Sequence, residues 1–125
     1  MYSAEVLEHF QNPRNVGDLA DPDASAELQN PACGDILRLS VKLVGGRVAE
    51  ARFRAKGCVP AIACGSRLTE MMQGRGVQEL RSLRREDLVK SLGDLPPASA
   101  HAGHLAIDAL EAVLKQIAER KRGSS

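Results

Sequence analysis

The sequence contains no tryptophan and only three other aromatic residues, Tyr2, Phe10 and Phe53. A core built from it is therefore aliphatic, and stacking on nucleobases has little to work with. There is no excess of one charge either: 17 basic against 16 acidic residues leave a net charge of +1. The electrostatic footprint of a nucleic-acid binder is missing. Arg81, Arg84 and Arg85, the nearest thing to a basic cluster, read as the solvated face of a helix. No apolar run approaches the roughly 20 residues that span a bilayer, and no signal-peptide core follows the N-terminus. A disulfide framework is excluded as well, because the cysteines number three and are unevenly spaced: Cys33, Cys58 and Cys64. With no targeting signal, such thiols indicate a reducing cytoplasm, where they serve as ligands or nucleophiles more often than as bridges.

What the chain does have is two alternating runs. Leu37, Leu39, Val41 and Leu43 alternate with Arg38, Ser40 and Lys42, and Ala49, Ala51, Phe53 and Ala55 alternate with Glu50, Arg52, Arg54 and Lys56. Each is the period-two pattern of a strand with one buried face, and Gly45-Gly46 joins them as a hairpin over about 35–56. A strict two-residue loop pairs Leu43 with Val48 but also Val41 with Glu50, setting an apolar row beside a charged one. A one-residue slip flips every side chain, so the pattern calls for a three-residue loop, Gly45-Gly46-Arg47, or a bulge. With the three-residue loop, 43 faces 49, 39 faces 53 and 37 faces 55. Extending the ladder sets Asp35 opposite Gly57 and Gly34 opposite Cys58. The open end of the hairpin then gathers Cys33, Asp35 and Cys58, with Gly34 and Gly57 leaving room.

The remaining elements are mostly helical. Residues 3–10 read as a short helix with Ser3 as N-cap, ended by Asn12-Pro13. Residues 11–31 are a loop that includes a short strand near 24–29. Pro60 suits the first position of a helix reaching Gln73. Between Gly76 and Gly93 lie two short helices, the second over about 85–92, followed by a rigid Leu95-Pro96-Pro97 link. Ser99 caps a long helix to about Lys121, with Ala102, Leu105, Ala106, Ala109, Leu110, Val113 and Ile117 on one stripe. Residues 1–122 make one domain and 123–125 a disordered tail. Strands followed by helices give an α+β fold, with helices packed on one face of a small antiparallel sheet.

Each chemical group has a plain reading beside the functional one. Cys58 precedes a helix N-terminus, where the dipole favours a thiolate; it is otherwise a small buried residue at a strand end, as is Cys33. Asp35 either satisfies backbone donors or adds a carboxylate two residues from Cys33. Mixed sulfur, oxygen and nitrogen donors suit zinc or iron. Cys64 shares a helix stripe with Ala61, Leu68, Met71 and Met72. That makes it a core cysteine, or an accessory thiol that relays sulfur or pairs with Cys58. His101 and His104 open the last helix at i, i+3 and share a face. Either they are surface histidines or one supplies the fourth ligand, with Asp108 one turn beyond His104. His9 has no such support. Cys58 and His101 as nucleophile and base lack an orienting third group and an oxyanion element, so no enzyme is indicated.

At this point the segments taken together resemble a family. His9-Phe10-Gln11-Asn12-Pro13-Arg14-Asn15-Val16-Gly17, Pro31-Ala32-Cys33-Gly34-Asp35, Ala51-Arg52-Phe53-Arg54-Ala55-Lys56-Gly57-Cys58 with Ala61-Ile62-Ala63, and Leu95-Pro96-Pro97 before His101 are similar, in order and spacing, to motifs of the IscU-type iron–sulfur cluster scaffolds, also called the NifU N-terminal domain. The resemblance implies a three-stranded antiparallel sheet with helices on one side. It also implies a protein that receives sulfide from a cysteine desulfurase, takes up iron, builds a [2Fe–2S] cluster and passes it to apo acceptor proteins. The implied ligand set is Cys33, Asp35, Cys58 and His101; Cys64 and His104 stand outside it as candidate accessory donors. The chain departs from the family where a cysteine follows the histidine: that place is Ala102. The Leu-Pro-Pro-Val-Lys of relatives served by a dedicated Hsp70 chaperone reads Leu95-Pro96-Pro97-Ala98-Ser99, which counts against that partner. The long insertion of the zinc-dependent SufU branch is absent. Beside the scaffold stand two alternatives: a zinc-binding or sulfur-handling accessory protein on the same fold, closed by Zn2+ on the four ligands, and a metal-free protein that keeps the desulfurase-binding surface.

Overall fold

The computed structural model describes residues 2–31 and 34–123. Helix α1 spans Ala4–Gln11, and the Ser3 side chain caps it by accepting the Val6 N–H at 3.0 Å. Three strands follow, β1 (Ala24–Gln29), β2 (Ile36–Val44) and β3 (Arg47–Lys56), forming an antiparallel sheet in the order β1-β2-β3. Helix α2 (Val59–Met72), the short helices α3 (Val77–Leu80) and α4 (Arg85–Ser91), and the long helix α5 (Ala100–Gly123) complete the chain. Helix α5 includes Gly123, which the sequence reading assigns to the tail; Ser124 and Ser125 lie outside the described residues. The chain enters α5 through a 3-10 turn at Pro97–Ser99, where the rigid Pro96-Pro97 pair already sets the backbone, and Ser99 is buried. Among the described residues no helix is long and apolar enough to cross a membrane.

The hairpin register is the expected one away from the turn, with Leu37 opposite Ala55 and Leu39 opposite Phe53. Near the turn the bulge replaces the three-residue loop. Leu43 faces Val48, not Ala49, and Lys42 faces Glu50, so Ala49 is the extra residue on β3. The loop is Gly45-Gly46 with φ of 59° and 77°, the two positive values of a tight turn whose twist matches its strands. The twist-matched glycine turn and the buried apolar row are thus both kept, at the cost of one unpaired residue.

Leu37, Leu39, Val41, Ala51 and Phe53 form the inner face of the sheet and are buried, while Arg38 and Arg54 stand exposed on the outer face. Helices α2 and α5 pack against the sheet, α2 mainly over β3 and α5 mainly over β1 and β2. The approach of α2 is close: a Cβ on Gly65 would lie 2.6 Å from the Phe53 ring and 3.0 Å from Leu37. All seven residues of the expected α5 stripe are buried.

Both outer strands have partners beyond the sheet. The Asn15–Gly17 segment runs beside β3, where Phe53 N–H donates to the Asn15 carbonyl and Gly17 N–H to the Phe53 carbonyl, each at 2.9 Å. The Asn15 side chain is tied to α2 and its end, through Thr69 at 3.1 Å and Gln73 at 3.0 Å. On the other edge, the Gln116 amide of α5 binds both the N–H and the carbonyl of Ser25.

Candidate metal centre

Three elements converge at the open end of the hairpin. Asp35 directly precedes β2, Cys58 is the N-cap residue of α2, and His101 lies in the first turn of α5. Their donor atoms lie within 4.8 Å of one another. Cys58 Sγ is 3.0 Å from Asp35 Oδ2 and 3.9 Å from His101 Nε2, and His101 Nε2 is 3.5 Å from the same carboxylate oxygen. Four donors held about 2.0–2.3 Å from one ion in a tetrahedron stand about 3.3–3.8 Å apart. The observed separations straddle that range, so small side-chain movements suffice to bring all three onto one ion. Cys33 lies outside the described residues.

The backbone explains why these groups meet. After β3 ends at Lys56, Gly57 turns the chain at φ +154° and Cys58 takes the extended conformation of an N-cap, φ −77° and ψ 168°. The Cys58 side chain makes no capping hydrogen bond, which leaves it directed at Asp35. Asp35 Oδ1 accepts the Cys58 N–H at 3.3 Å and Oδ2 accepts the thiol. The start of α5 is fixed by close packing on α4, where a Cβ on Gly103 would lie 3.2 Å from Arg85 and Val89.

The electrostatics reverse one expectation. A helix N-terminus favours a thiolate, yet the Cys58 thiol is pushed up, first by burial and then by its hydrogen bond to Asp35. Burial penalises the thiolate most, and the hydrogen bond to the Asp35 carboxylate at 3.0 Å holds the proton on sulfur; together they outweigh the N–H groups of the helix start that favour the anion. Both influences favour the thiol over the thiolate beside the buried Asp35 side chain. A cation reverses that balance, because it is attracted by both groups and displaces the shared proton.

Other candidate residues stand apart from this group. Cys64 is fully buried in the core, and burial, with a smaller contribution from Cys58, pushes its thiol up to about 12. His104 is exposed on α5, and Ala102 is buried. Sequence reasoning missed the setting of His9. This residue is buried, with Nδ1 2.7 Å from Ser66 Oγ and Nε2 3.3 Å from Glu70 Oε1. The Glu70 carboxylate only accepts, so in the neutral ring Nε2–H donates to it and Nδ1 accepts the Ser66 hydroxyl, whose oxygen also accepts the Arg14 N–H at 2.9 Å. The signal available in the sequence was the i, i+3 spacing of His9 with apolar Val6, which places both on the buried face of α1.

Comparison with known proteins follows the same lines. The NifU-like N terminal domain family model matches residues 1–123. The iron–sulfur cluster assembly scaffold protein IscU 1 of Archaeoglobus fulgidus is 41% identical over 110 residues, which are 88% of this chain and 72% of that protein. The iron–sulfur cluster assembly scaffold protein IscU of Azotobacter vinelandii is 39% identical over 124 residues, 96% of each. Among solved structures, the N-terminal part of a nitrogen-fixing NifU-like protein from Brucella abortus superposes with a TM-score of 0.78 at 24% identity, over 94% of both chains.

Proposed function

We infer that this chain, which belongs to the NifU-like N-terminal domain family, is an iron–sulfur cluster assembly scaffold. Residues 1–122 act as one unit, and the cluster is its cargo. Cys33, Asp35, Cys58 and His101 are the donors that hold it. The observation carrying this reading is the convergence of Asp35, Cys58 and His101 from three separate elements. Two thiolates, one carboxylate and one imidazole bind iron less tightly than a full set of thiolates, which suits a protein that must release what it assembles.

The residues also supply the proton chemistry of loading. Cys58 ligates iron only as the thiolate, so its proton leaves as the ion arrives, and Asp35 Oδ2 already receives the Cys58 S–H. Metal affinity accordingly rises with pH, and loading releases protons. The cargo is a [2Fe–2S] cluster built from iron and from sulfide delivered by a cysteine desulfurase in the cytoplasm, then passed to apo acceptor proteins. The protein carries this cargo and is not itself an enzyme. Because position 102 is alanine, assembly proceeds without a cysteine there.

A second reading is zinc binding on the same donors, whose separations of 3.0, 3.5 and 3.9 Å straddle those around a single tetrahedral ion. Anaerobic reconstitution with ferrous iron, cysteine and a cysteine desulfurase separates the two. Visible charge-transfer bands with equal iron and sulfide are expected of the scaffold, and both are lost in Cys58→Ser. Stoichiometric zinc with no cluster establishes the second reading instead.

A further inference from the structure

We propose that Gly57 is the positioning residue of the metal centre: its missing side chain is the space in which the Asp35 carboxylate lies. This rests on the ligand reading above. An ideal Cβ at Gly57 would sit 2.2 Å from Asp35 Oδ1, 2.5 Å from its Cγ and 3.0 Å from its Cβ. These distances are far inside van der Waals contact and involve a short, buried side chain that has little freedom to retreat. Gly34, the other glycine flanking the ligands, differs. Both residues have positive φ, +76° and +154°, so backbone conformation favours glycine at each. A Cβ at Gly34 would meet nothing within 4 Å. Only Gly57 is also required by the carboxylate.

Both oxygens of Asp35 depend on that space. Oδ1 lies against the Gly57–Cys58 backbone and accepts the Cys58 N–H at 3.3 Å. This anchors the carboxylate so that Oδ2 faces Cys58 Sγ at 3.0 Å and His101 Nε2 at 3.5 Å. A methyl group at position 57 occupies the place of Oδ1, rotates the carboxylate out of its cradle and carries Oδ2 away from the other two donors. Gly57 therefore acts on the metal chiefly through Asp35, over and above the backbone strain that any side chain incurs at φ +154°. Groups that orient a ligand in this way change metal affinity about 10–100-fold when altered.

The test is a Co2+ titration of the full chain under anaerobic conditions, comparing wild type, Gly57→Ala, Asp35→Ala and the Asp35→Ala/Gly57→Ala double variant. The expected result is a 10–100-fold weaker Co2+ affinity for Gly57→Ala. Its thiolate-to-cobalt band should persist, and its ligand-field spectrum should match that of Asp35→Ala. Most of the Gly57→Ala penalty should disappear in the Asp35→Ala background. Wild-type affinity in Gly57→Ala overturns the proposal, as does an equal penalty in the Asp35→Ala background, which would mean that position 57 acts through backbone strain on Cys58. If Gly57→Ala does not fold, Asp35→Gly is added. Recovered folding supports the clash with Asp35, and continued failure overturns it. A wild-type protein that binds no Co2+ overturns the ligand reading itself, and this inference with it.

Discussion

Cys58 and Cys64 sit six positions apart and differ in kind because of where the helix between them faces. Cys64 is fully buried and its thiol is pushed up to about 12, so at neutral pH it is inert, whereas Cys58 is only half buried. Iodoacetamide applied to the native protein should therefore label Cys58 and spare Cys64, read by peptide mass spectrometry; comparable labelling of both would contradict the burial. Cys64→Ser places a hydroxyl in the core and should cost about 1 kcal/mol or more in a denaturant titration. His9 is a second case. Burial holds its pKa below the ordinary 6.5, with Glu70 opposing. The native state then binds fewer protons than the unfolded chain between the lowered value and 6.5. Stability is complete above pH 6.5 and falls as pH drops through the folded-state pKa. His9→Gln should flatten that slope in urea titrations between pH 7.5 and 5; an unchanged slope would exclude His9 as its source. Residue types and spacings in the sequence were enough to bring Asp35 and Cys58 together and to offer His101 and His104 as further donors; the family resemblance chose His101 between them. Neither could reveal the protonation of Cys58, because that depends on a 3.0 Å contact with Asp35 across the hairpin mouth, nor the Ser66–His9–Glu70 arrangement, which links two helices.

Among the elements, the hairpin was legible because its two alternations permit few registers. Leu39 opposite Phe53 follows from burying both apolar rows. The sequence left loop length against bulge unresolved, since either restores the alternation. Strand twist decides the matter: with glycine at both 45 and 46, the tight turn forms and Ala49 absorbs the mismatch. The packing of α2 was not legible, because Gly65 reads as a neutral small residue until Phe53 is placed beneath it. Gly65→Ala should cost about 1–3 kcal/mol through overpacking. It should also weaken metal binding, because lifting α2 displaces Cys58 at its N-terminus. A denaturation series with Phe53→Leu tests the cause: the shorter side chain should recover part of the loss, and strictly additive losses would place the strain elsewhere.

For the molecule as a whole, Asp35, Cys58 and His101 come from the mouth of the hairpin and the starts of α2 and α5, so on the proposed reading metal binding is a global event. The donors meet only when the sheet and both helices are in place, so an ion that binds the native chain alone stabilises all of it. At 100 times the dissociation constant the gain is about 2.7 kcal/mol. Zn2+ should raise the melting temperature of the wild type and leave Cys58→Ser nearly unmoved; an equal rise in both would mean that the ion binds elsewhere. The α+β arrangement was readable from the order of elements, but the use of the Asn15–Gly17 segment was not, because a turn-rich loop gives no sign that it will lie along β3. That segment has a further consequence. Backbone of Asn15 and Gly17 holds one margin of the sheet at Phe53, and the Gln116 amide holds the other at Ser25. At those two points an incoming extended peptide finds the donors and acceptors already taken. Strand addition, the common route to both peptide capture and fibre growth, is obstructed on each side, which leaves recognition to side chains and to the mouth of the hairpin.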